Sequence, residues 1–286
     1  MILHTLAVLL ALVGGSPARA GEVDADRILR SETLGRELPY ALYLPDAYAA
    51  EPDRRFPVVY LLHGHGGDST TWVRAGELER TADRLIETGA IPPLIVVMPG
   101  VGNSWYVDSA GSTTGGMMAK ALVRDLVGHI DAHLRTIAGR SGRALAGQSM
   151  GGFGALHLAF RHPDRFVAVA SLSGALFVAM PGPATTRDLF GDVFGEPFEP
   201  AAYRAASPLG HTSVLAAGGP VPAIYLASGD DDYFGFWRGA ALLFMELHDA
   251  GIPAELRITD GGHDWTYWAD ALDPALRFVA ARLATR

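Results

Sequence analysis

Short apolar runs alternate with helical stretches along most of the chain, and this alternation restricts the fold more than any other feature. Runs rich in Val, Ile and Leu predict buried central strands at 58–62, 94–98 and 144–146, and further strands are predicted at 166–171, 223–227 and 254–258. Helical spacing predicts helices at 77–88, 117–134, 150–161, 236–250 and 273–284, the last with Pro274 in its first turn. Because strands that alternate with helices build parallel sheets, the sequence predicts an α/β fold with helices on both faces of a mostly parallel sheet.

Two stretches near the N-terminus have a different pattern, with apolar and polar residues alternating at 27–33 and 37–44. Gly35 lies between them, so we expect a β-hairpin. Pro39 has no N–H for a sheet ladder, and its position predicts that the second strand is an edge strand or carries a bulge.

One long segment, 176–215, interrupts the alternation. It contains the prolines Pro181, Pro183, Pro197 and Pro208 and the phenylalanines Phe177, Phe190, Phe194 and Phe198. Long irregular segments in compact domains are usually functional or disordered, and four phenylalanines argue against disorder. We expect a cap over the carboxyl edge of the sheet, with one or more of these rings reaching a substrate cleft beside Trp105. The alternative is a surface excursion with its own small core.

The first twenty residues are predicted to be a secretory signal peptide. Residues 2–13 are largely apolar, and Ala18-Arg19-Ala20 has the small-x-small pattern of a cleavage site. We therefore expect cleavage after Ala20, a single domain over residues 21–286, a secreted or periplasmic location, and no stable membrane insertion after cleavage. The alternative is an uncleaved anchor, since no Lys or Arg precedes the apolar run.

Charge and cysteine content exclude several kinds of function. Asp and Glu outnumber Lys and Arg by 31 to 23, a net charge of −8, which argues against nucleic acid or an anionic membrane as a partner. The sequence has no cysteine, which excludes a disulfide, a thiol nucleophile and a thiolate metal site.

The strongest chemical signal is Gly147-Gln148-Ser149-Met150-Gly151-Gly152, which follows a predicted strand and opens a predicted helix. This is the context of the nucleophile elbow of α/β-hydrolases, in which a tight turn flanked by glycines exposes the serine hydroxyl at a helix N-terminus. Ser149 is therefore the candidate nucleophile. The alternative is a glycine-rich turn that only binds an anion.

A serine nucleophile needs a base, and in α/β-hydrolases the acid and then the histidine follow the serine along the chain. His263 lies on a glycine-flanked loop after the last predicted strand, whereas His248 falls within a predicted helix, so His263 is the candidate base. The acid should follow the preceding strand, where Asp230, Asp231 and Asp232 are adjacent. Spacing alone does not choose among them, and a solvated turn or a calcium loop is the alternative.

An oxyanion loop is predicted at His63-Gly64-His65-Gly66-Gly67, directly after the strand at 58–62. The expected donors are the backbone N–H groups of His65 and Met150. His63 and His65 have a spacing that metal ligands can adopt, but no third ligand is evident. We therefore predict a hydrogen-bonding role for His63 in the turn, and no metal or organic cofactor.

These motifs, together with Asn103-Ser104-Trp105-Tyr106 and Gly262-His263-Asp264-Trp265, resemble the esterase family that includes esterase D, S-formylglutathione hydrolases, feruloyl and acetyl xylan esterases and mycolyltransferases. The matching pieces extend from about residue 30 to the C-terminus. The resemblance implies the α/β-hydrolase fold and selects Asp232 as the acid. It also implies that Trp105 and Tyr106 line the substrate cleft.

We therefore expect a secreted serine esterase that acts through an acyl-enzyme on a small-molecule or polysaccharide-linked ester, such as a feruloyl or acetyl ester. An acyltransferase of the mycolyltransferase type would use the same residues, although the resemblance implies a glutamate acid and a long acyl tunnel for that group. A non-catalytic secreted binding protein is a further alternative, and such a protein normally has an incomplete triad.

Overall fold

The computed structural model describes residues 20–216 and 218–285. The predicted signal peptide, apart from Ala20, lies outside the described residues. Within them, no helix is both long enough and apolar enough to cross a bilayer.

A central sheet of eight strands has the order β1-β2-β4-β3-β7-β8-β9-β10. The strands are β1 Glu22–Ser31, β2 Arg36–Leu44, β3 Val58–Leu62, β4 Ile95–Pro99, β7 Arg143–Gln148, β8 Ala168–Leu172, β9 Ala223–Gly229 and β10 Ala254–Thr259, and a separate small hairpin is formed by β5 Asp108–Ser109 and β6 Gly116–Met117. β1 and β2 are antiparallel to their neighbours, and the strands from β4 through β10 in the sheet order run parallel. The predicted mostly parallel sheet is thus confirmed.

The helices lie on both faces of this sheet. They are α1 Asp46–Ala50, α2 Thr71–Arg74, α3 Leu78–Glu87, α4 Met118–Lys120, α5 Val127–His133, α6 Met150–Arg161, α7 Pro183–Phe190, α8 Pro200–Ala206, α9 Thr212–Ala216, α10 Phe236–Asp249 and α11 Trp265–Ala280. Alternate residues of β3 face opposite layers, with Tyr60 and Leu62 beside α6 in one core and Val59 and Leu61 beside α3 and α11 in the other. β3 is therefore buried on both sides, which explains why it consists only of Val, Leu and Tyr.

Two predictions about proline were wrong. The last helix begins at Trp265, eight residues before the predicted start, because the Asp264 side chain accepts the Tyr267 N–H and caps it there. Pro274 consequently lies inside α11, at an exposed position. β2 is an interior strand without a bulge at Pro39, since the ladder with β4 begins one residue later, at Tyr40, and does not require a Pro39 N–H. The irregularity in this hairpin is in β1, between Asp24 and Arg27.

The helix predicted at 117–134 is interrupted. It runs as α4, a π-helical segment over Ala121–Leu126, and α5. Apolar periodicity predicted one continuous helix because the segment presents a single buried face throughout.

The segment predicted as a cap forms α7, α8 and α9 and packs beyond the carboxyl end of β8. Its rings surround Trp105, with ring centroids 4.7 Å away for Phe190 and 6.0 Å away for Phe194, and Phe198 stacks on Phe190 at 5.1 Å. The segment therefore has an aromatic core of its own, which is centred on a residue of the main domain.

Candidate active site

Ser149 lies in the turn between β7 and α6, with φ 54° and ψ −118°. An L-residue held in this region is strained by about 1–3 kcal/mol, a cost that persists only where the surroundings enforce it. Here the flanking glycines are required by space. A Cβ atom at Gly147 would lie 2.4 Å from the Gly151 carbonyl oxygen, and one at Gly151 would lie 2.3 Å from that of Leu62. The turn thus holds the Ser149 hydroxyl beyond the strand end.

Three side chains from separate strand ends meet at this turn. Asp232 follows β9, His263 follows β10, and Ser149 follows β7. Nε2 of His263 lies 3.0 Å from the Ser149 hydroxyl, and Nδ1 lies 2.7 Å from the Asp232 carboxylate. Because a carboxylate can only accept, Nδ1 carries the proton and Nε2 is left with the lone pair that faces the hydroxyl.

The histidine and the aspartate of this chain of hydrogen bonds are shielded from solvent. The side chains of His263 and Asp232 are 6% and 0% exposed. The imidazole is enclosed by the rings of Phe234, Phe236 and Trp268, whose centroids lie 5.0, 5.3 and 4.8 Å from its own. These rings restrict the imidazole to one orientation.

The three adjacent aspartates have different surroundings. The second carboxylate oxygen of Asp232 accepts the Phe234 N–H at 2.9 Å, so both of its oxygens are engaged. Asp230 and Asp231 are exposed and lie near the carboxylate of Asp260. Only Asp232 of the three contacts His263.

The loop after β3 presents backbone donors beside Ser149. Within the described residues, neither the His65 N–H nor the Met150 N–H has a hydrogen-bond partner, and both residues line the same cleft as Ser149. The Gly66 N–H donates to the Asn103 side chain at 2.8 Å and so fixes the loop. The N–H groups of His65 and Met150 are therefore available to a negatively charged oxygen at Ser149.

His63 supports this loop from beneath. Its Nδ1–H donates to the Gly64 carbonyl at 2.8 Å, and its Nε2 accepts the Val101 N–H at 3.2 Å. Burial lowers the pKa of His63, which matches the neutral tautomer that these two partners require. With both ring nitrogens engaged, His63 has none left for a metal ion.

The cleft beside Ser149 has a volume of about 630 Å³ and a mixed lining. Its apolar lining includes Trp105, Phe177, Leu189 and Phe236, and its polar lining includes Thr71 and Arg74. Arg74 pairs with Asp68 at 2.9 Å, and its side chain is 64% exposed. The apolar side chains suit an aryl or alkyl group, and the polar side chains suit a hydrophilic one.

Of the two residues predicted to line the cleft, Trp105 does so and Tyr106 does not. The Trp105 indole N–H donates to the Leu189 carbonyl at 2.8 Å, which attaches the cap to the cleft wall. Tyr106 is fully buried, and its hydroxyl donates to the His63 carbonyl at 2.8 Å. The Tyr106 prediction was therefore wrong, because the backbone directs the second ring under the oxyanion loop.

Among the four phenylalanines of the cap, Phe177 lines the cleft, whereas Phe190, Phe194 and Phe198 pack behind Trp105. Sequence reasoning missed Arg74, Leu189 and the rings after Asp232. Phe234 and Phe236 could have been found from their closeness to Asp232 along the chain. Arg74 gave no signal, since the short helix α2 was not predicted.

Comparisons with known proteins show the family and the fold of this chain. Residues 31–279 match the family described as "Putative esterase". An endo-1,4-beta-xylanase/feruloyl esterase of Xylanibacter ruminicola is 36% identical over 152 residues, which are 52% of this chain and 21% of that protein. An esterase of Mycobacterium tuberculosis is 31% identical over 251 residues, 77% of this chain and 51% of the relative. The chain thus spans about a fifth and about half of the lengths of these two relatives.

Solved structures show the same fold. A ferulic acid esterase superposes with a TM-score of 0.78 at 27% identity, covering 92% of this chain and 99% of the other. Together with the match over most of the sequence, this likeness establishes that the chain belongs to the esterase family and has the α/β-hydrolase fold.

Proposed function

We propose that this protein is a secreted carboxylic ester hydrolase in which Ser149 is the nucleophile, His263 the general base and Asp232 the residue that orients the base. The observation that carries the proposal is the hydrogen-bonded series from Asp232 through His263 to Ser149, which ends in a cleft beside the N–H groups of His65 and Met150, neither of which has a partner in the described part of the chain. Each component has the partner that acyl transfer requires of it.

In the first step the Ser149 oxygen bonds to the ester carbonyl carbon while its proton moves to Nε2 of His263. The carbonyl oxygen becomes an oxyanion, which the N–H groups of His65 and Met150 stabilise. When the tetrahedral intermediate collapses, the bond to the alcohol oxygen breaks, and His263 returns the proton to the departing alcohol. An acyl-enzyme on Ser149 remains.

In the second step a water molecule takes the place of the alcohol. His263 accepts its proton as the water oxygen bonds to the acyl carbon, and the same two N–H groups hold the second oxyanion. Collapse then releases the carboxylic acid and returns the proton to Ser149. Asp232 remains ionised throughout and keeps the Nδ1 proton of His263 in place.

The proposed substrate is a small-molecule or polysaccharide-linked ester with a compact acyl group, such as a feruloyl or acetyl ester. The rings of Trp105 and Phe177, whose centroids lie 6.5 Å apart in the lining of the cleft, offer a surface for an aryl group. The similarity to the Xylanibacter ruminicola protein, which is named an endo-1,4-beta-xylanase/feruloyl esterase, supports this choice. We further propose that residues 1–20 direct secretion and are removed after Ala20.

The test compares the wild-type protein with Ser149→Ala on p-nitrophenyl acetate, methyl ferulate and acetyl xylan. We expect hydrolysis by the wild type alone, and a single adduct on Ser149 after treatment with a fluorophosphonate, located by mass spectrometry. Adding an acceptor alcohol measures transfer against hydrolysis. Comparable activity in both proteins, or an adduct elsewhere, contradicts the assignment of Ser149.

A further inference from the structure

The backbone nitrogen of Gly21 occupies a defined site at the start of the described chain. Its N–H donates to Oδ1 of Asp83 on α3 at 2.9 Å. The hydroxyl of Tyr43 on β2 donates to the same oxygen at 2.7 Å. Gly21 is buried, whereas Ala20 before it is exposed. The chain thus passes from an exposed position to a buried one between Ala20 and Gly21.

A side chain at position 21 would clash with Tyr43. A Cβ atom there would lie 2.4 Å from Cε2 of the Tyr43 ring and 2.7 Å from the Tyr43 hydroxyl, far inside van der Waals contact. The residue that fits this restriction directly follows Ala18-Arg19-Ala20, the predicted cleavage sequence. The nitrogen of the predicted scissile bond is therefore the buried nitrogen of Gly21.

The charges around Gly21 are complementary to a cation. The groups that face this region are the carboxylates of Asp83 and Glu79 on α3, Glu22 on β1 and Asp46 on α1, together with the Tyr43 hydroxyl on β2. Burial, the hydrogen bond to Asp83 and the nearby charges of Asp83, Glu79 and Glu87 raise the pKa of Tyr43, which remains a donor. The arginines of α3 are paired elsewhere, Arg80 with Glu77 and Arg84 with Asp273.

We propose that a protease selective for small residues hydrolyses the Ala20–Gly21 peptide bond and that Asp83 then binds the new α-ammonium group of Gly21. Water supplies the hydroxyl to the Ala20 carbonyl carbon and a hydrogen to the Gly21 nitrogen, which takes a further proton from solvent. The neutral N–H donor becomes a cation 2.9 Å from a carboxylate. The resulting ion pair connects the residue before β1 to α3. This inference rests on the secretion proposed above, but not on the esterase activity.

The composition of the chain makes the test unusually direct, because Lys120 is the only lysine in the sequence. Lys120 is exposed, and Lys120→Arg therefore leaves the α-amine as the single primary amine of the processed protein. The full chain carrying this change is expressed with its leader and collected after secretion. Mass spectrometry identifies the first residue, and the rate of acylation by acetic anhydride between pH 6 and 10 gives the pKa of the α-amine.

We expect the chain to begin at Gly21 and its amine to react about tenfold or more slowly at pH 7 than that of the free peptide Gly-Glu-Val-Asp-Ala. The ion pair raises the pKa of the amine and so lowers the fraction that is unprotonated and reactive. Asp83→Asn should restore most of the lost acylation rate. Glu79→Gln is the matched control, which removes a charge from the same region without touching the hydrogen bond, and it should change the rate by less than about threefold.

A first residue other than Gly21 overturns the cleavage and the docking together. A chain that begins at Gly21 and reacts as fast as the peptide overturns the docking alone. The comparison of the parent protein with the peptide does not require the Asp83 variant to fold. Neither result bears on ester hydrolysis, which the Ser149 variant tests separately.

Discussion

Replacing Asp232 with asparagine should abolish the proposed ester hydrolysis, because it moves the imidazole proton of His263 from Nδ1 to Nε2. The carboxylate makes two hydrogen bonds, one from the Phe234 N–H at 2.9 Å and one from Nδ1 of His263 at 2.7 Å. Asparagine has the same shape but only one oxygen. The Phe234 N–H must have an acceptor, and the amide oxygen therefore faces it while the NH₂ group faces His263. Nδ1 then has to accept, and its proton moves to Nε2.

The size of the effect follows from that tautomer. With a proton on Nε2, the imidazole presents an N–H to the Ser149 hydroxyl 3.0 Å away and cannot remove its proton. For a triad whose aspartate becomes asparagine, the loss is about 10⁴-fold in kcat, which corresponds to about 5.5 kcal/mol in activation free energy. The fold should be retained, because the amide replaces the carboxylate without a change of volume and keeps two hydrogen bonds.

The assay is kcat for p-nitrophenyl acetate, with the free energy of unfolding in urea measured alongside. Asp231→Asn is the matched control, since Asp231 is exposed and its backbone N–H, not its side chain, bonds to Gly261. It should stay within about 0.5 kcal/mol in stability and near wild-type activity. The reasoning is refuted if Asp232→Asn keeps more than about a hundredth of wild-type kcat, or if Asp231→Asn is the more damaging change.

Three further changes have distinct expected results. Ser149→Ala should lower kcat by about a millionfold with unchanged unfolding, and a loss of less than tenfold would exclude it as nucleophile. Phe177→Ala should alter the ratio of kcat/KM for methyl ferulate to kcat/KM for p-nitrophenyl acetate, because Phe177 lines the cleft. Phe190 is buried behind Trp105, so Phe190→Ala should leave that ratio unchanged and lower the free energy of unfolding by about 3–5 kcal/mol. The opposite pattern contradicts the cleft assignment. Burial lowers the pKa of His157 to about 4. As the pH drops from about 6.5 to 4, His157 therefore binds a proton in the unfolded chain before it does so in the folded one. The free energy of unfolding should fall over this range, by about 3 kcal/mol at most. His157→Gln should flatten that part of the urea-unfolding profile, and an unchanged slope contradicts this account.

Much of the sheet and of the site could be predicted because the local sequence and the tertiary structure require the same thing. β3, β4 and β7 are buried on both faces, and a fully buried strand admits little besides Val, Ile, Leu and Ala. Ser149 could be found because its turn has no room for side chains at Gly147 and Gly151, and this leaves a visible mark in the sequence.

Other features depend on contacts that no local pattern encodes. The start of α11 is fixed by one cap at Asp264, which outweighs the usual preference for Pro274 in a first turn. Trp105 and Tyr106 are adjacent and equally aromatic, yet one lines the cleft and the other supports His63. The choice among Asp230, Asp231 and Asp232 depends on which carboxylate the β9 turn directs inward, and only the resemblance to a family indicated Asp232.

The position of His263 has a consequence for how the protein fails on heating. The imidazole follows β10, the last strand of the sheet, which pairs with β9 alone and whose final residues are exposed. Edge elements of this kind open in small fluctuations, at a lower free energy than the whole domain requires. Separation of β10 from β9 would withdraw the imidazole from Ser149 while the central strands and both cores stay intact. We therefore expect the proposed turnover to cease at a temperature that depends on the attachment of this one peripheral strand, below the temperature at which the domain melts.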